Sequence, residues 1–273
     1  VSSLPRYDYQ DLPVPVRRAV IAQTGPVRAD RTVTAGRNCA IASVLDTEGG
    51  PVFLKGVPLG DPRIQSQRRE AAINPHTPSS CPRLLWSTDA FGWSLLGYQA
   101  VEGRHADYTQ PADLGLVLAA LEELRQATAP AGLSLTTAQE RWGPYADDGD
   151  AELFDGQALL HTDLRPDNVL ITDSQACPVD WACPTRGAAW IEPFLWALRI
   201  MEAGQAVAVA VSWARQLWSW REAAPTALRA FSAAVARLWH STAAAEMTRE
   251  TIHAAACAAE LRAYLTLESE TGT

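Results

Sequence analysis

Apolar and polar positions along this chain change their period about a third of the way through. In the first hundred residues the apolar positions form short β-prone runs, at 31–35, 39–46, 51–55, 83–87 and 92–98, set apart by glycine, proline and aspartate. Helical patterns interrupt them at 15–24 and at 63–74, the second stopped before Pro75. After residue 103 the period becomes helical. In 112–127 apolar residues stand at 114, 117, 118, 121 and 124, one face of a helix. Long helices rich in alanine and tryptophan follow at 190–203, 205–220, 226–240 and 248–267. The pattern predicts an α+β, bilobal fold. Residues 1–98 form a small lobe with a five-stranded antiparallel sheet plus a helix, 99–103 a hinge, and 104–273 a larger, mostly α-helical lobe.

One β pattern breaks into the helical half. Between Asn168 and Asp180 the chain reads Val-Leu-Ile-Thr, then Asp-Ser-Gln, then Ala-Cys-Pro-Val, two short runs around a polar turn. Such a hairpin sets its ends side by side and brings the Asn168 amide oxygen near the Asp180 carboxylate. Both are hard oxygen ligands of the kind Mg²⁺ takes, with water and phosphate filling its other positions. Upstream lies His161-Thr162-Asp163-Leu164-Arg165-Pro166-Asp167-Asn168. Asp163, on a loop stiffened by Pro166, would face the same metal-nucleotide from the acceptor side, orient a hydroxyl and accept its proton. Singly, each of these residues is as readily a turn or a cap. Their coincidence with a hairpin and an upstream lysine is what points to chemistry.

That lysine, Lys55, is the sole lysine among 23 lysines and arginines. It closes the run Pro51-Val52-Phe53-Leu54-Lys55, where a compact ammonium can act as a point charge on nucleotide phosphates; an arginine fork has a different reach. Glu70, in the 63–74 helix, is placed to point back at Lys55 and hold it, or to pair with a surface arginine.

The catalytic-loop pattern His-x-Asp-x-x-x-x-Asn, met by His161, Asp163 and Asn168, together with Asp180, resembles the aminoglycoside phosphotransferase family within the larger protein-kinase-like fold. The order of elements extends the resemblance over nearly the whole chain, while the specific motif is confined to 161–181. The resemblance implies that Asp163 is catalytic, that Asn168 and Asp180 hold Mg²⁺, and that Lys55 and Glu70 are the strand lysine and helix glutamate of the nucleotide site. It places the adenine of ATP, or the base of GTP, at the hinge residues Tyr98, Gln99, Ala100 and Val101. The phosphate-covering loop falls near 32–41 with a single glycine, so that Gly36, Arg37 and Asn38 are candidate nucleotide contacts. Arg165 either stabilises the transferring phosphoryl group or pairs with a carboxylate such as Asp167. Trp181 is expected to pack beneath the nucleotide, and Glu192 to anchor a helix start. The acceptor segment, roughly 130–155, is short, and 182–189 is too short for an activation segment.

Composition frames these expectations. The chain has 273 residues, 47% of them hydrophobic, enough for a substantial core. No apolar run approaches about 18 residues, and the start lacks signal-peptide architecture, so a cytoplasmic protein off the membrane is expected. Five cysteines without a Cys-x-x-Cys pair read as buried, reduced thiols. The helical tryptophans read as core. The net charge is −8. Between Glu140 and Glu192 eleven carboxylates face three arginines, a balance that excludes nucleic acid and suits a cationic hydroxylated acceptor such as an aminoglycoside. Asp147-Asp148-Gly149-Asp150 reads equally as a solvated loop. The expected function is therefore phosphoryl transfer from ATP to a hydroxyl of a small cationic antibiotic, with no obligate protein partner. The alternatives are a kinase of another small hydroxylated metabolite, or a pseudokinase that binds nucleotide without chemistry.

Overall fold

The protein is described by a computed structural model covering residues 6–34 and 39–271. The first lobe begins with α1 (Val14–Thr24), which has Pro15 in its first turn. β1 (Val27–Thr32), β2 (Ile41–Thr47) and β3 (Gly50–Pro58) follow, then α2 (Ile64–Ile73), β4 (Leu84–Ala90) and β5 (Trp93–Gln99). The sheet order is β1-β2-β3-β5-β4, all neighbours antiparallel. This is the five-stranded sheet the patterning predicts, with Lys55 on its central strand. The first strand differs, lying at 27–32 rather than 31–35. It is an edge strand with no fully buried residue, so it carries almost no apolar signal. Its position is set by pairing, from Val27 opposite Thr47 to Thr32 opposite Ser43.

The second lobe opens with β6 (Arg104–His105) and α3 (Pro111–Leu124), which buries Leu114, Val117, Leu121 and Leu124 as the period requires. Arg104 clamps Asp113 through two 2.6 Å hydrogen bonds and ties the lobe's entry to α3. The 130–155 segment contains β7 (Thr136–Thr137) and α4 (Ala138–Trp142). A reciprocal Thr137–Glu140 capping box starts α4. Then come β8 (Ala158–Leu160), the hairpin β9 (Val169–Ile171) with β10 (Ala176–Pro178), and β11 (Thr185–Gly187). Two small sheets result, β10-β9-β6 and β7-β11-β8. The strands are too short to stand out from the surrounding sequence except at the hairpin.

The remainder is helical: α5 (Ile191–Glu202), α6 (Val207–Ala214), α7 (Trp218–Glu222), α8 (Pro225–Glu246) and α9 (Arg249–Thr271). The single helix expected over 205–220 is two. Leu217 is extended and almost wholly buried, and Glu122 of α3 accepts the Trp218 N–H at 2.8 Å, so a tertiary cap restarts the helix. Trp196 and Trp220 fill the core, whereas Trp218 is half exposed and carries Arg221 across its ring. Of the cysteines four are buried and Cys183 is exposed, since its own carbonyl, not its thiol, faces the interior hydrogen bonds. No helix among the described residues is long and apolar enough to cross a membrane.

Gly97, on β5 where the sheet approaches the hinge, lies beneath the Trp86 ring. A Cβ there would stand 2.2 Å from the indole. Gly97→Ala is expected to cost about 1–3 kcal/mol by overpacking, read as a fall in denaturation midpoint. An unchanged midpoint would mean that Trp86 moves aside without loss.

Candidate active site

Lys55 leaves the central strand into the gap between the lobes, where its Nζ donates to Glu70 Oε2 at 2.6 Å and to Asp180 Oδ1 at 2.7 Å. Lys55 and Glu70 are each only 5% exposed. Burial alone would depress the ammonium pKa, but Asp180 and Glu70 outweigh it and hold Lys55 well above its ordinary value. Glu70 is itself raised, by burial first and by Asp180 as well, with Lys55 pulling the other way. Helix α2 presents Glu70 on the face that also buries Ile64, Gln67 and Ile73. Gln67 donates to Ser94 O, and Ser66 to Ala182 O, so the helix is pinned both to β5 and to the segment after Asp180.

The hairpin forms as its sequence suggests, with Val169 opposite Pro178 and Ile171 opposite Ala176. Beyond the last pair Val179 N donates to Asn168 O at 2.9 Å, which brings Asn168 and Asp180 to the same end. Asn168 directs its Nδ2 at Asp163, to the carbonyl at 2.9 Å and to Oδ2 at 3.1 Å. That leaves the amide Oδ1 as a donor atom for a metal. One amide oxygen and one carboxylate, beside a buried cluster in which two carboxylates face one ammonium, fit Mg²⁺ in charge and in ligand type.

The loop bearing Asp163 is strained and over-determined. Thr162 has φ +68° and Asp180 φ +61°, and for a β-branched threonine the left-handed region is rare. Glu192, buried at the start of α5, accepts the N–H groups of His161 at 2.5 Å and of Thr162 at 3.1 Å, which holds the strained turn in place. Its expected role as an anchor is the one the structure shows. His161 Nε2 donates to Val179 O at 2.9 Å while Nδ1 accepts the Asp163 N–H at 3.2 Å, and burial keeps the ring pKa below its usual value. Tyr108 donates to Leu164 O at 2.7 Å, and Trp181 packs edge-on against His161 at 4.7 Å.

Arg199 of α5 is the residue that sequence patterning missed. Its Nη2 lies 3.2 Å from Asp163 Oδ1, its Nη1 binds Glu202 at 2.7 Å, and the guanidinium sits over Trp239. The available signal was a lone cation in the otherwise apolar run Phe194-Leu195-Trp196-Ala197-Leu198-Arg199-Ile200-Met201. Arg165, in contrast, is half-exposed, with its Nε 3.8 Å from Asp167 Oδ1.

A cleft between the lobes joins these groups. Val33, Ala42, Val44 and Phe53 line it from the sheet, Leu170 and Trp181 from the second lobe, and Lys55, Asn168 and Asp180 close its polar end. The expected hinge residues Tyr98, Gln99, Ala100 and Val101 all border it. Their backbones are not equivalent: Gln99 N–H is already donated to Arg83 O, whereas among the described residues none accepts the N–H of Ala100 or Val101. Tyr98 turns its ring inward beside Glu70, and burial raises its hydroxyl pKa. Gly36 and Asn38, with Arg37, lie outside the described residues.

With this geometry the chain has the fold of the aminoglycoside phosphotransferases, a bilobal kinase-like architecture. It is similar to the crystal structure of aminoglycoside phosphotransferase APH(4)-Ia, with a TM-score of 0.62 and 16% identity over 92% of this chain and 98% of that one. A thermostable N203A mutant of that enzyme, solved as a ternary complex with AMP-PNP and hygromycin B, matches at 0.62 and 17%, over 93% and 98%. A putative fructosamine-3-kinase from Haemophilus somnus matches at 0.59 and 11%, over 90% and 96%. Neither a protein-family model nor a curated protein sequence matches the chain.

Burial pushes Glu192 up to about 7 from an ordinary 4.5, against the pull of the Thr162 and His161 N–H groups. Between those pH values the folded chain keeps a proton that the unfolded chain has released, so stability falls as pH rises through the window. Glu192→Gln removes this slope. Its stability relative to the parent is expected to climb by about 3 kcal/mol between pH 4.5 and 7, measured by chemical denaturation across that range. Parallel profiles for the two proteins would show that Glu192 does not titrate there.

Proposed function

We propose that the protein is a kinase that transfers the γ-phosphoryl group of ATP to a hydroxyl of a small molecule. The observation that carries this is the convergence at one end of the β9–β10 hairpin: Lys55 with Glu70 and Asp180 on one side, Asn168 with Asp163 on the other. The fold supports it, as does the presence of AMP-PNP and a small antibiotic in a solved structure of that fold. The proposed lobes, 1–98 and 104–273, close on the nucleotide about the hinge 99–103.

In the proposed mechanism the base of ATP, or of GTP, meets the backbone N–H groups of Ala100 and Val101, between Phe53 and Leu170. Lys55, braced by Glu70, holds phosphate oxygens. Asn168 and Asp180 would hold Mg²⁺, which when bound supplies charge neutralisation to the phosphates. Asp163, fixed by Asn168 and Arg199, orients the acceptor hydroxyl and takes its proton at a carboxylate oxygen. Positioning and fixed charge provide most of the acceleration in this class of reaction. Arg165, exposed beside Asp167, reaches the transferring group only if it swings inward.

The acceptor is the finer question. An aminoglycoside-like cation rests on the acidic stretch 140–192, and the structure commits several of those carboxylates elsewhere. Glu140 caps α4, Asp147 binds Arg237, Glu192 holds backbone, and Asp163 faces Arg199. Asp148, Glu152 and Asp155 remain exposed, and their charge is what supports a cationic acceptor. Two guanidinium groups, that of Arg199 on Asp163 and that of Arg141 on the preceding Thr162, favour instead a different hydroxylated metabolite. A silent nucleotide-binding module is disfavoured by the joint placement of Lys55, Asp163, Asn168 and Asp180.

Asp163→Ala is expected to lower turnover at least about 10²-fold while leaving nucleotide affinity unchanged. The assay is Mg-ATP-dependent ADP release over a panel of hydroxylated antibiotics and metabolic alcohols, beside a nucleotide titration. Turnover retained in the variant would remove Asp163 from the mechanism.

A further inference from the structure

Arg141 is a half-buried guanidinium without a carboxylate. Its Nη1 donates to Thr162 Oγ1 at 2.6 Å and to Thr185 Oγ1 at 3.1 Å, and approaches Cys183 O at 3.4 Å. All three acceptors are neutral. Among the described residues no ion pair reaches Arg141, and its Nε and Nη2 groups take no protein hydrogen bond yet are not sealed from solvent. A partly desolvated cation left with unspent donors has a gap in its bonding that an anion would fill.

The gap lies beside the reacting centre. Thr162 immediately precedes Asp163 in the chain, and α4 belongs to the segment that separates α3 from the catalytic loop. The guanidinium is held rigidly by two threonine hydroxyls and by the Trp142 ring at 4.9 Å. The nearby charges do not neutralise it. Asp163 and Glu202 are already engaged by Arg199, and Glu192 spends its carboxylate on the backbone of His161 and Thr162. Burial lowers the Arg141 pKa, with Arg199 adding to the effect and Asp163 and Glu192 opposing it. A cationic acceptor placed against this wall would meet like charge.

We propose that Arg141 is the acceptor-recognition residue of the kinase site, and that the acceptor carries an oxyanion, a carboxylate or a phosphate, besides the hydroxyl to be phosphorylated. The arginine fork binds either group through Nε and Nη2, and doing so sets the distance between the anion and the hydroxyl presented to Asp163. This rests on the kinase reading for its catalytic meaning, but the oxyanion site itself does not.

The test begins with the protein saturated with Mg-AMP-PNP, so that the phosphate subsites are filled. Malonate and inorganic phosphate are each titrated while the melting temperature is followed, with 1,3-diaminopropane as the cationic control. The expected result is a saturable rise with at least one of the two dianions and none with the diamine. Arg141→Met should weaken that dianion at least about tenfold, and Arg141→Lys should restore part of it. The unliganded melting temperature and circular dichroism of both variants report whether they fold. No rise with either dianion, or an equal rise in Arg141→Met, overturns the site. Which dianion binds separates carboxylate from phosphate acceptors.

Turnover then separates this inference from the reading beneath it. ADP release with glycerate or glycerol 3-phosphate, lost in Asp163→Ala and with KM raised about tenfold or more in Arg141→Met, supports both. An Arg141-dependent dianion effect with no ADP release for any acceptor upholds the oxyanion site and counts against the kinase. Turnover of an aminoglycoside with KM unchanged in Arg141→Met upholds the kinase and overturns the oxyanion acceptor.

Discussion

The site depends on one buried ammonium. Lys55 is inside the protein only because Glu70 and Asp180 meet it, and each of the three comes from a different piece of the fold: the central strand, the helix packed on the sheet, and the far end of the second lobe's hairpin. Removing Lys55 would leave two buried carboxylates without their cation, a loss of about 3–5 kcal/mol in such clusters, whereas removing either carboxylate leaves the ammonium paired with the other. Yet a buried ion pair is seldom a net source of stability, because desolvation offsets most of its attraction. Its consequence is geometric. Helix and hairpin cannot shift relative to the sheet without separating charges that are mostly withdrawn from water, so the polar end of the cleft is held at fixed spacing. The cluster also carries one more carboxylate than ammonium, and burial together with Asp180 raises Glu70 in response.

The second constraint is conformational and is met by α5. A threonine at φ +68° costs about 1–3 kcal/mol and persists only because its surroundings enforce it. Glu192 does so by accepting two successive N–H groups, and Arg199, seven residues on and therefore on the same face of the helix, reaches the side chain that the turn projects. A single helix thus sets both the backbone turn that leads into Asp163 and the carboxylate of Asp163 itself. His161 joins that loop to the hairpin through Val179 O, so the two strained residues, Thr162 and Asp180, are positioned by one shared imidazole.

What was legible in the sequence was whatever is local or periodic. The hairpin 169–179, the α3 face and the Lys55–Glu70 pair all follow from short-range pattern, and the structure reproduces them. Where distant contacts decide, pattern was silent. The break at Leu217 comes from a glutamate on α3, ninety-six residues away in the chain. The edge strand β1 lacks a buried face. Of the four hinge residues that the resemblance implies, Gln99 already has its N–H engaged by Arg83 O. Arg199 and Arg141 gain their meaning only from what they face across the fold. Nothing in the spacing of an arginine says whether its partner is a carboxylate, a hydroxyl or water.

The same distinction governs the charge of the acceptor. Net charge and the carboxylates of 140–192 describe the field at a distance, which salt screens within about 8–10 Å. The field at a transferring group is set by the nearest desolvated charges, where the effective dielectric constant is lower and each charge counts for several times more. Asp148, Glu152 and Asp155 belong to the first kind, exposed on loops. Arg199 and Arg141 belong to the second, the former only 11% exposed. An acidic chain can therefore hold a cationic acceptor wall without contradiction. On the proposed reading the overall charge bears on encounter, and Arg199 with the half-buried Arg141 bears on what is held once encounter has occurred.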